Sequence, residues 1–178
     1  MMLLTALVAT ALAQSVPGPN LQPGDTALLF SLPALNEDAA MRAVTKPSVA
    51  LSDFTGVMPA FPAKAVVLHF LTRSTGAEGQ LAALERLQRK LGPRGVRVVA
   101  IVSDGGELAA LSDWVESQKL AIPVLRDAQR VVVERYGVKA FPMTFVIDAE
   151  GHVDAIGAPT EATIEAELEQ VIEPLIKG

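Results

Sequence analysis

Cysteine is absent from all 178 residues of the chain. Without thiols a protein forms no disulfide, offers no thiolate nucleophile and gives no sulfur ligand to a metal ion. The two histidines, His69 and His152, have no sulfur partner and therefore make a weak metal site. The sequence predicts neither a metal ion nor a cofactor.

Clusters of basic residues are missing as well. The net charge is -5 and the isoelectric point is near 5.0, whereas nucleic acids and anionic membranes attract clustered Lys and Arg. We therefore expect no nucleic-acid partner. No apolar run reaches the roughly 20 residues of a membrane-spanning helix. The glycine-rich phosphate loops and the G-x-S-x-G nucleophile elbow are also absent.

The N-terminus carries an export-like pattern. MMLLTALVATALAQ is an uncharged apolar run that ends in Ala11, Leu12 and Ala13, the small-residue pattern that signal peptidase recognises. We predict a signal peptide over residues 1–13, a Pro- and Gly-rich linker over 14–24 and one domain over 25–178. The protein is then periplasmic or secreted; an uncleaved membrane tether and a misassigned start are the alternatives.

Half of the residues are apolar, and their periodicity predicts an α/β domain. AVVLHFL and VRVVAIVS are buried parallel strands, and leucines at helical spacing follow the first of them. Asp104 and Glu107 form a capping-box-like start for a helix with Leu108, Leu111 and Val115 on one face. A small helix, a hairpin turning at Glu150 and Gly151, and an amphipathic C-terminal helix complete the order βαβα, then ββα.

Several phrases resemble one family. The chain is similar to the thioredoxin-like redoxins, a group that comprises alkyl hydroperoxide reductase, thiol-specific antioxidant proteins (peroxiredoxins) and exported thiol-disulfide oxidoreductases. The similar phrases are LSDFTG, AVVLHFL, GVRVVAIVSD, IPVLRD and above all YGVKAFPMTFVIDAEGHV. The resemblance implies a thioredoxin fold with three layers, α/β/α, around a mixed sheet, preceded by an N-terminal β extension. It also implies that Pro142 is cis and faces the start of the first long helix.

In this family the redox cysteines lie at that helix start. Counting forward from the strand places the pair at Thr75 and Glu78, and counting backward from the helix leucines places it at Ser74 and Ala77; neither count finds sulfur. A hydroxyl cannot form the mixed disulfide that carries the electrons, and it ionises at far higher pH than a thiol. The resemblance therefore implies the scaffold, and the residues exclude intrinsic thiol chemistry.

The candidate ligand groove, called the Pro142 groove below, comprises the residues that should face each other across these two segments: Arg73, Ser74, Thr75, Gly76, Glu78, Phe141, Pro142 and Met143. Each of these residues also has a structural explanation that needs no ligand. Hydroxyl residues at a helix start are usual N-caps, a carboxylate there complements the helix dipole, and the FPM segment can be core. An apolar patch of Phe141 with Trp114 or Tyr136 is a further alternative.

Two functional hypotheses follow. The first is a non-catalytic binding module that holds a peptide, a partner protein or a small anion in the Pro142 groove. The second is an enzyme: a redoxin-family oxidoreductase that works with the thiols of a partner, or a glutathione-binding transferase that uses Ser74 or Thr75. Under the first hypothesis, no residue of the chain is catalytic.

Overall fold

The computed structural model describes residues 21–74 and 76–177. The predicted signal peptide and residues 14–20 of the predicted linker lie outside the described residues, as does Thr75. The remaining linker residues approach the hairpin, where the Gly24 N–H donates to the Val153 carbonyl at 2.7 Å. No helix in the described part is long and apolar enough to cross a membrane.

The central sheet has five strands and mixed direction. Its strands, in chain order, are β3 (Ala65–Leu71), β4 (Val96–Val102), β5 (Val124–Arg126), β6 (Met143–Asp148) and β7 (Val153–Gly157). They lie in the order β5-β4-β3-β6-β7; β3, β4 and β5 are parallel, and β6 and β7 form the antiparallel hairpin. The predicted thioredoxin-type topology is confirmed.

In the described residues, five α-helices are distributed over the two faces of the sheet: α1 (Glu37–Val44), α2 (Ala77–Leu91), α3 (Leu108–Ser117), α4 (Val131–Arg135) and α5 (Ile164–Lys177). Side chains of β3 alternate between two cores because successive strand residues face opposite ways. Ala65, Val67 and Leu71 pack under α2, α3 and α5, whereas Val66, Leu68 and Phe70 pack with α1 and α4. The three predicted layers follow from this alternation.

The N-terminal β extension is a two-stranded antiparallel pair, β1 (Ser31–Pro33) with β2 (Ser48–Ala50). Between them lies α1, a helix that was not predicted from the sequence. β2 ends at Ala50, because Leu51 already lies in the 3-10 turn Leu51–Asp53. The Asp53 carboxylate accepts the Ala50 N–H at 2.8 Å and so turns the chain away from the strand.

The predicted start of α3 is wrong in two respects. Glu107 occupies the N-cap position without a side-chain capping bond, and Asp104 accepts a hydrogen bond from another loop instead. Leu108 is 52% exposed, while Leu111 and Val115 are fully buried. The helix begins at Leu108, so this leucine stands on its first, solvent-facing turn.

Candidate functional site

The chain passes from β3 into α2 through a tight turn. Gly76 precedes the helix at φ 89°, a left-handed conformation that favours glycine, and it makes no side-chain capping bond. The Ser74 carbonyl accepts the Ala77 N–H at 3.0 Å, while the Ser74 hydroxyl lies 3.5 Å from the Thr72 carbonyl. The interpretation of Ser74 as a hydroxyl N-cap is therefore wrong. Its counterpart for Thr75 lies outside the described residues.

Arg73 and Glu78 both lie against the α3 side of this turn. The Arg73 N–H donates to Asp104 Oδ2 at 2.6 Å, and its guanidinium reaches the Ala110 carbonyl at 3.5 Å. Glu78 Oε1 accepts a hydrogen bond from Trp114 Nε1 at 3.2 Å. These contacts hold the two charged side chains of the Pro142 groove at its α3 wall.

The opposite wall is the segment that enters β6. The Phe141–Pro142 peptide bond is cis, as the resemblance implies. Met143 stands opposite Phe70 in the β3–β6 register, so Pro142 lies beside the end of β3 that leads into α2. The structure thereby brings the two predicted halves of the groove to the same end of the sheet.

Phe141 packs against the apolar cluster that contains Tyr136, so one of the two contacts considered for its apolar patch is present. It is half-buried, and the Arg130 guanidinium lies over its ring at 5.6 Å. Tyr136 lies in this cluster among the buried rings of Phe30, Phe70 and Phe145, whereas Trp114 packs against the core on the other face of the sheet. Within the described residues, neither the N–H nor the C=O of Phe141 takes part in a hydrogen bond.

A buried polar cluster joins the two walls from below. His69, in the middle of β3, is 0% exposed; its Nδ1 lies 2.8 Å from Thr144 Oγ1 and its Nε2 lies 3.1 Å from Gln80 Oε1. Because the amide oxygen of Gln80 only accepts, Nε2 carries the proton and the Thr144 hydroxyl donates to Nδ1. The cluster ties α2 to β6 two residues after Pro142.

Burial keeps His69 neutral. It lowers the pKa of the imidazole from 6.5 to about 4, against the smaller raising effect of the hydrogen bond to Gln80. His69 is therefore a core histidine. Its two polar partners were not predicted. Two features of the sequence could have indicated this cluster: a histidine within an otherwise apolar strand, and a glutamine directly before the first leucine of the following helix.

Glu161 is a further residue that the sequence did not reveal. A β-carbon built on Gly79, in the first turn of α2, would lie 2.0 Å from the Glu161 carboxyl carbon, so this side chain packs directly on the helix backbone. Glu161 Oε2 also lies 3.9 Å from the β-carbon position of Gly76. A carboxylate at this place is favoured by the positive end of the helix dipole.

Among the described residues, no three His, Asp or Glu side chains are grouped as a metal site would require. His152, at the hairpin, lies 3.5 Å from the Asp148 carboxylate and far along the chain from the cluster around His69. The residues proposed for the Pro142 groove thus lie at a helix start and a strand entry, with Arg73 and Glu78 on one side and the cis proline on the other.

Comparison with known families identifies the scaffold. The model of the AhpC/TSA family matches residues 23–156, which is more than half of the chain. The chain belongs to the AhpC/TSA family. This AhpC/TSA chain keeps the fold and the cis proline that its sequence phrases imply, and it has no cysteine at any position.

Its relatives are of the thiol-disulfide oxidoreductase type. Thiol-disulfide oxidoreductase ResA of Oceanobacillus iheyensis is 27% identical over 176 residues, which cover 96% of this chain and 85% of that protein. ResA of Geobacillus thermodenitrificans is 30% identical over 133 residues, with coverages of 71% and 76%. A Chlorobium tepidum crystal structure assigned as thiol:disulfide interchange protein DsbE has a TM-score of 0.72 and 25% identity, and the match covers 88% of this AhpC/TSA chain and 99% of that one.

Proposed function

We propose that this AhpC/TSA protein is a non-catalytic binding module whose Pro142 groove holds an extended peptide segment of a partner protein. The observation that carries the proposal is the combination of a chain without cysteine and a Phe141 backbone whose N–H and C=O have no partner in the described residues. An extended peptide can pair with such groups as an added strand does.

The walls of the groove support recognition without sulfur. The Arg73 guanidinium donates to the Ala110 carbonyl and the Glu78 carboxylate accepts from Trp114, so both charges already lie at the α3 wall. The buried cluster around His69 fixes the spacing between α2 and β6. Fixed walls lower the entropy that is lost on binding.

Glu161 favours a peptide over a small anion. Its carboxylate already rests on the first turn of α2, next to the place where a small anion would use the helix dipole. A small anion would have to displace it, whereas a peptide can pair with the Phe141 backbone without doing so.

A peptide library displayed on phage tests the proposal with the purified chain. We expect enriched peptides whose affinity falls about tenfold or more when the amide paired with Phe141 is N-methylated, because that change removes a backbone hydrogen bond and leaves every side chain in place. Phe141→Ala should weaken binding as well, and Glu150→Gln, at the opposite end of the sheet, is the control.

Failure of any peptide to enrich above background would overturn the proposal. Enriched peptides that bind Phe141→Ala and wild type equally, and that tolerate N-methylation at every position, would overturn it too.

The second candidate is catalysis together with a partner's thiols, which is favoured by the thiol-disulfide oxidoreductase relatives. The chain would then orient a partner's cysteine pair in the same groove. Mixing the chain with a reduced dithiol protein and a disulfide substrate tests this candidate. Exchange faster than the dithiol protein alone supports it, and an unchanged rate dismisses it.

We also propose that the protein is exported. The apolar run with Ala11, Leu12 and Ala13 supports this proposal. Mass spectrometry of the protein from an envelope fraction tests it. A chain that begins at Gln14 is expected, and a full-length chain confined to the cytoplasmic fraction would contradict it.

A further inference from the structure

A cleft of about 830 Å³ lies between the start of α1 and α3, and Arg126 at the end of β5 contributes to its lining. It is separated from the Pro142 groove by the loop that follows β4. That loop contributes to both sites: Asp104 accepts the Arg73 N–H on one side, and the Gly106 carbonyl accepts a hydrogen bond from Arg126 on the other.

Arg126 is held in place by one hydrogen bond, but not all of its guanidinium N–H groups have an acceptor in the part of the chain that the structure describes. Its Nη2 donates to the Gly106 carbonyl at 2.9 Å, while its Nε is fully buried and has no hydrogen-bond partner among the described residues. A buried donor without an acceptor is costly, and an arginine fixed at one nitrogen is prepared to bind a carboxylate through the others.

The charges around the cleft are balanced and unpaired. Three cations and three anions line it, and none of the six forms an ion pair within the described part of the chain: Arg42, Lys119, Arg126, Glu37, Asp38 and Glu116. Elsewhere on the surface, facing charges do pair, as in Lys90 with Glu169. A ligand that carries one charge of each sign matches such a lining, and a multiply charged anion does not.

Apolar side chains supply the remaining surface. Leu108 is 52% exposed on the first turn of α3, and Val115 and Leu120 lie behind the same wall and are buried. An exposed leucine next to unpaired charges is suited to a ligand with an aliphatic body and charged ends.

We propose that this α1–α3 cleft binds a short aliphatic peptide of two or three residues with free termini. The terminal carboxylate lies on Arg126, the terminal ammonium lies among Glu37, Asp38 and Glu116, and the side chains contact Leu108. The site is independent of the Pro142 groove, because it uses none of the residues that bind there.

Calorimetric titration of the chain with the tripeptide Leu-Ala-Leu tests the proposal. Saturable binding is expected, and loss of about tenfold or more in affinity is expected for Arg126→Gln and for the C-terminally amidated peptide, since each change removes a charge-assisted bond. The two changes together should cost little more than either one, because they remove the same contact. The N-acetylated peptide should also bind more weakly.

Two further variants separate a binding site from a structural arginine. Ser112→Phe fills the cleft and leaves Arg126 in place, so it should abolish binding without loss of the fold. Arg89→Gln, on an exposed position of α2, removes the same charge outside the cleft and should leave the affinity unchanged. Phe141→Ala should also leave it unchanged, so failure here and failure of the Pro142 groove are distinguishable.

Absence of saturable binding would overturn the proposal. Affinities that are equal for wild type, Arg126→Gln and Ser112→Phe would overturn it as well. So would equal affinities for the free and the amidated peptide, since both results would place the ligand elsewhere.

Discussion

The two ends of the layer formed by α2 and α5 differ in how their charges are used. Towards the end remote from the Pro142 groove, three ion pairs recur at four-residue spacing between α5 and the segment formed by α2 and the 3-10 turn Gly92–Arg94 that follows it: Arg86–Glu165, Lys90–Glu169 and Arg94–Glu173. At the groove end the glutamate series continues to Glu161, but the residue that would face it is Ala82. Glu161 rests on Gly79 instead.

The interactions that hold the helices together at the remote end are therefore different from those that shape the groove end. Exposed ion pairs contribute little to stability, and salt screens them, so the remote end depends mainly on the leucines beneath it. The groove end depends on buried hydrogen bonds of His69, which respond to pH. The two ends should therefore be sensitive to different solution conditions.

The largest effect concerns His69. Its pKa is lower in the folded protein, about 4, than the ordinary 6.5, so the unfolded chain binds the proton more tightly between these values. Stability is then fully present above pH 6.5 and falls as the pH decreases towards 4. From pH 7 to pH 5 this group should lower the free energy of unfolding by about 2 kcal/mol, measured by urea denaturation.

His69→Asn, in which the side chain does not titrate, should remove this slope. His152→Asn is the matched control, since that histidine is 48% exposed at the hairpin, and it should keep the slope. Parallel slopes in wild type and His69→Asn would show that the groove end does not depend on the neutral imidazole.

An intermediate effect is expected at Gly79. Alanine favours a helix over glycine by about 0.5–1 kcal/mol, but its β-carbon must displace the flexible end of Glu161. Gly79→Ala should therefore stabilise the Glu161→Ala variant by about that amount and wild type by less, as measured by thermal or urea denaturation. Equal gains in both backgrounds would contradict the packing of Glu161 on Gly79.

The smallest effect is expected at the remote end. A double-mutant cycle of Lys90→Met and Glu169→Gln should give a coupling energy of about 0.2–1 kcal/mol that declines as salt is added. Urea denaturation at low and high ionic strength measures it. A coupling that is larger than the effect of His69, or that is insensitive to salt, would reverse the comparison between the two ends.

The sequence predicted the scaffold well because its signals are local. The continuous apolar strand over Ala65–Leu71 and the leucine spacing of α2 are visible without a structure, and the YGVKAFPMTFVID phrase names the family. The start of α3 was predicted wrongly because Asp104 and Glu107 fit a capping box, whereas the tertiary contact with Arg73 takes the Asp104 carboxylate.

The candidate site was only half predictable. Its two walls follow from the family phrase, but their lining depends on residues that are distant in sequence and close in space. Gln80 and Thr144 meet through His69, and Glu161, in the turn before α5, rests on Gly79 of α2. No periodicity within one element encodes such contacts.

The central claim is that this AhpC/TSA scaffold binds without oxidising or reducing, because oxygen cannot replace sulfur as the carrier of two electrons. Hydroperoxide consumption by the purified chain in the presence of dithiothreitol tests it most directly, with a cysteine-containing relative as the positive control. We predict a rate equal to that of buffer with dithiothreitol. A rate above that background, proportional to the concentration of this chain alone, would contradict the claim.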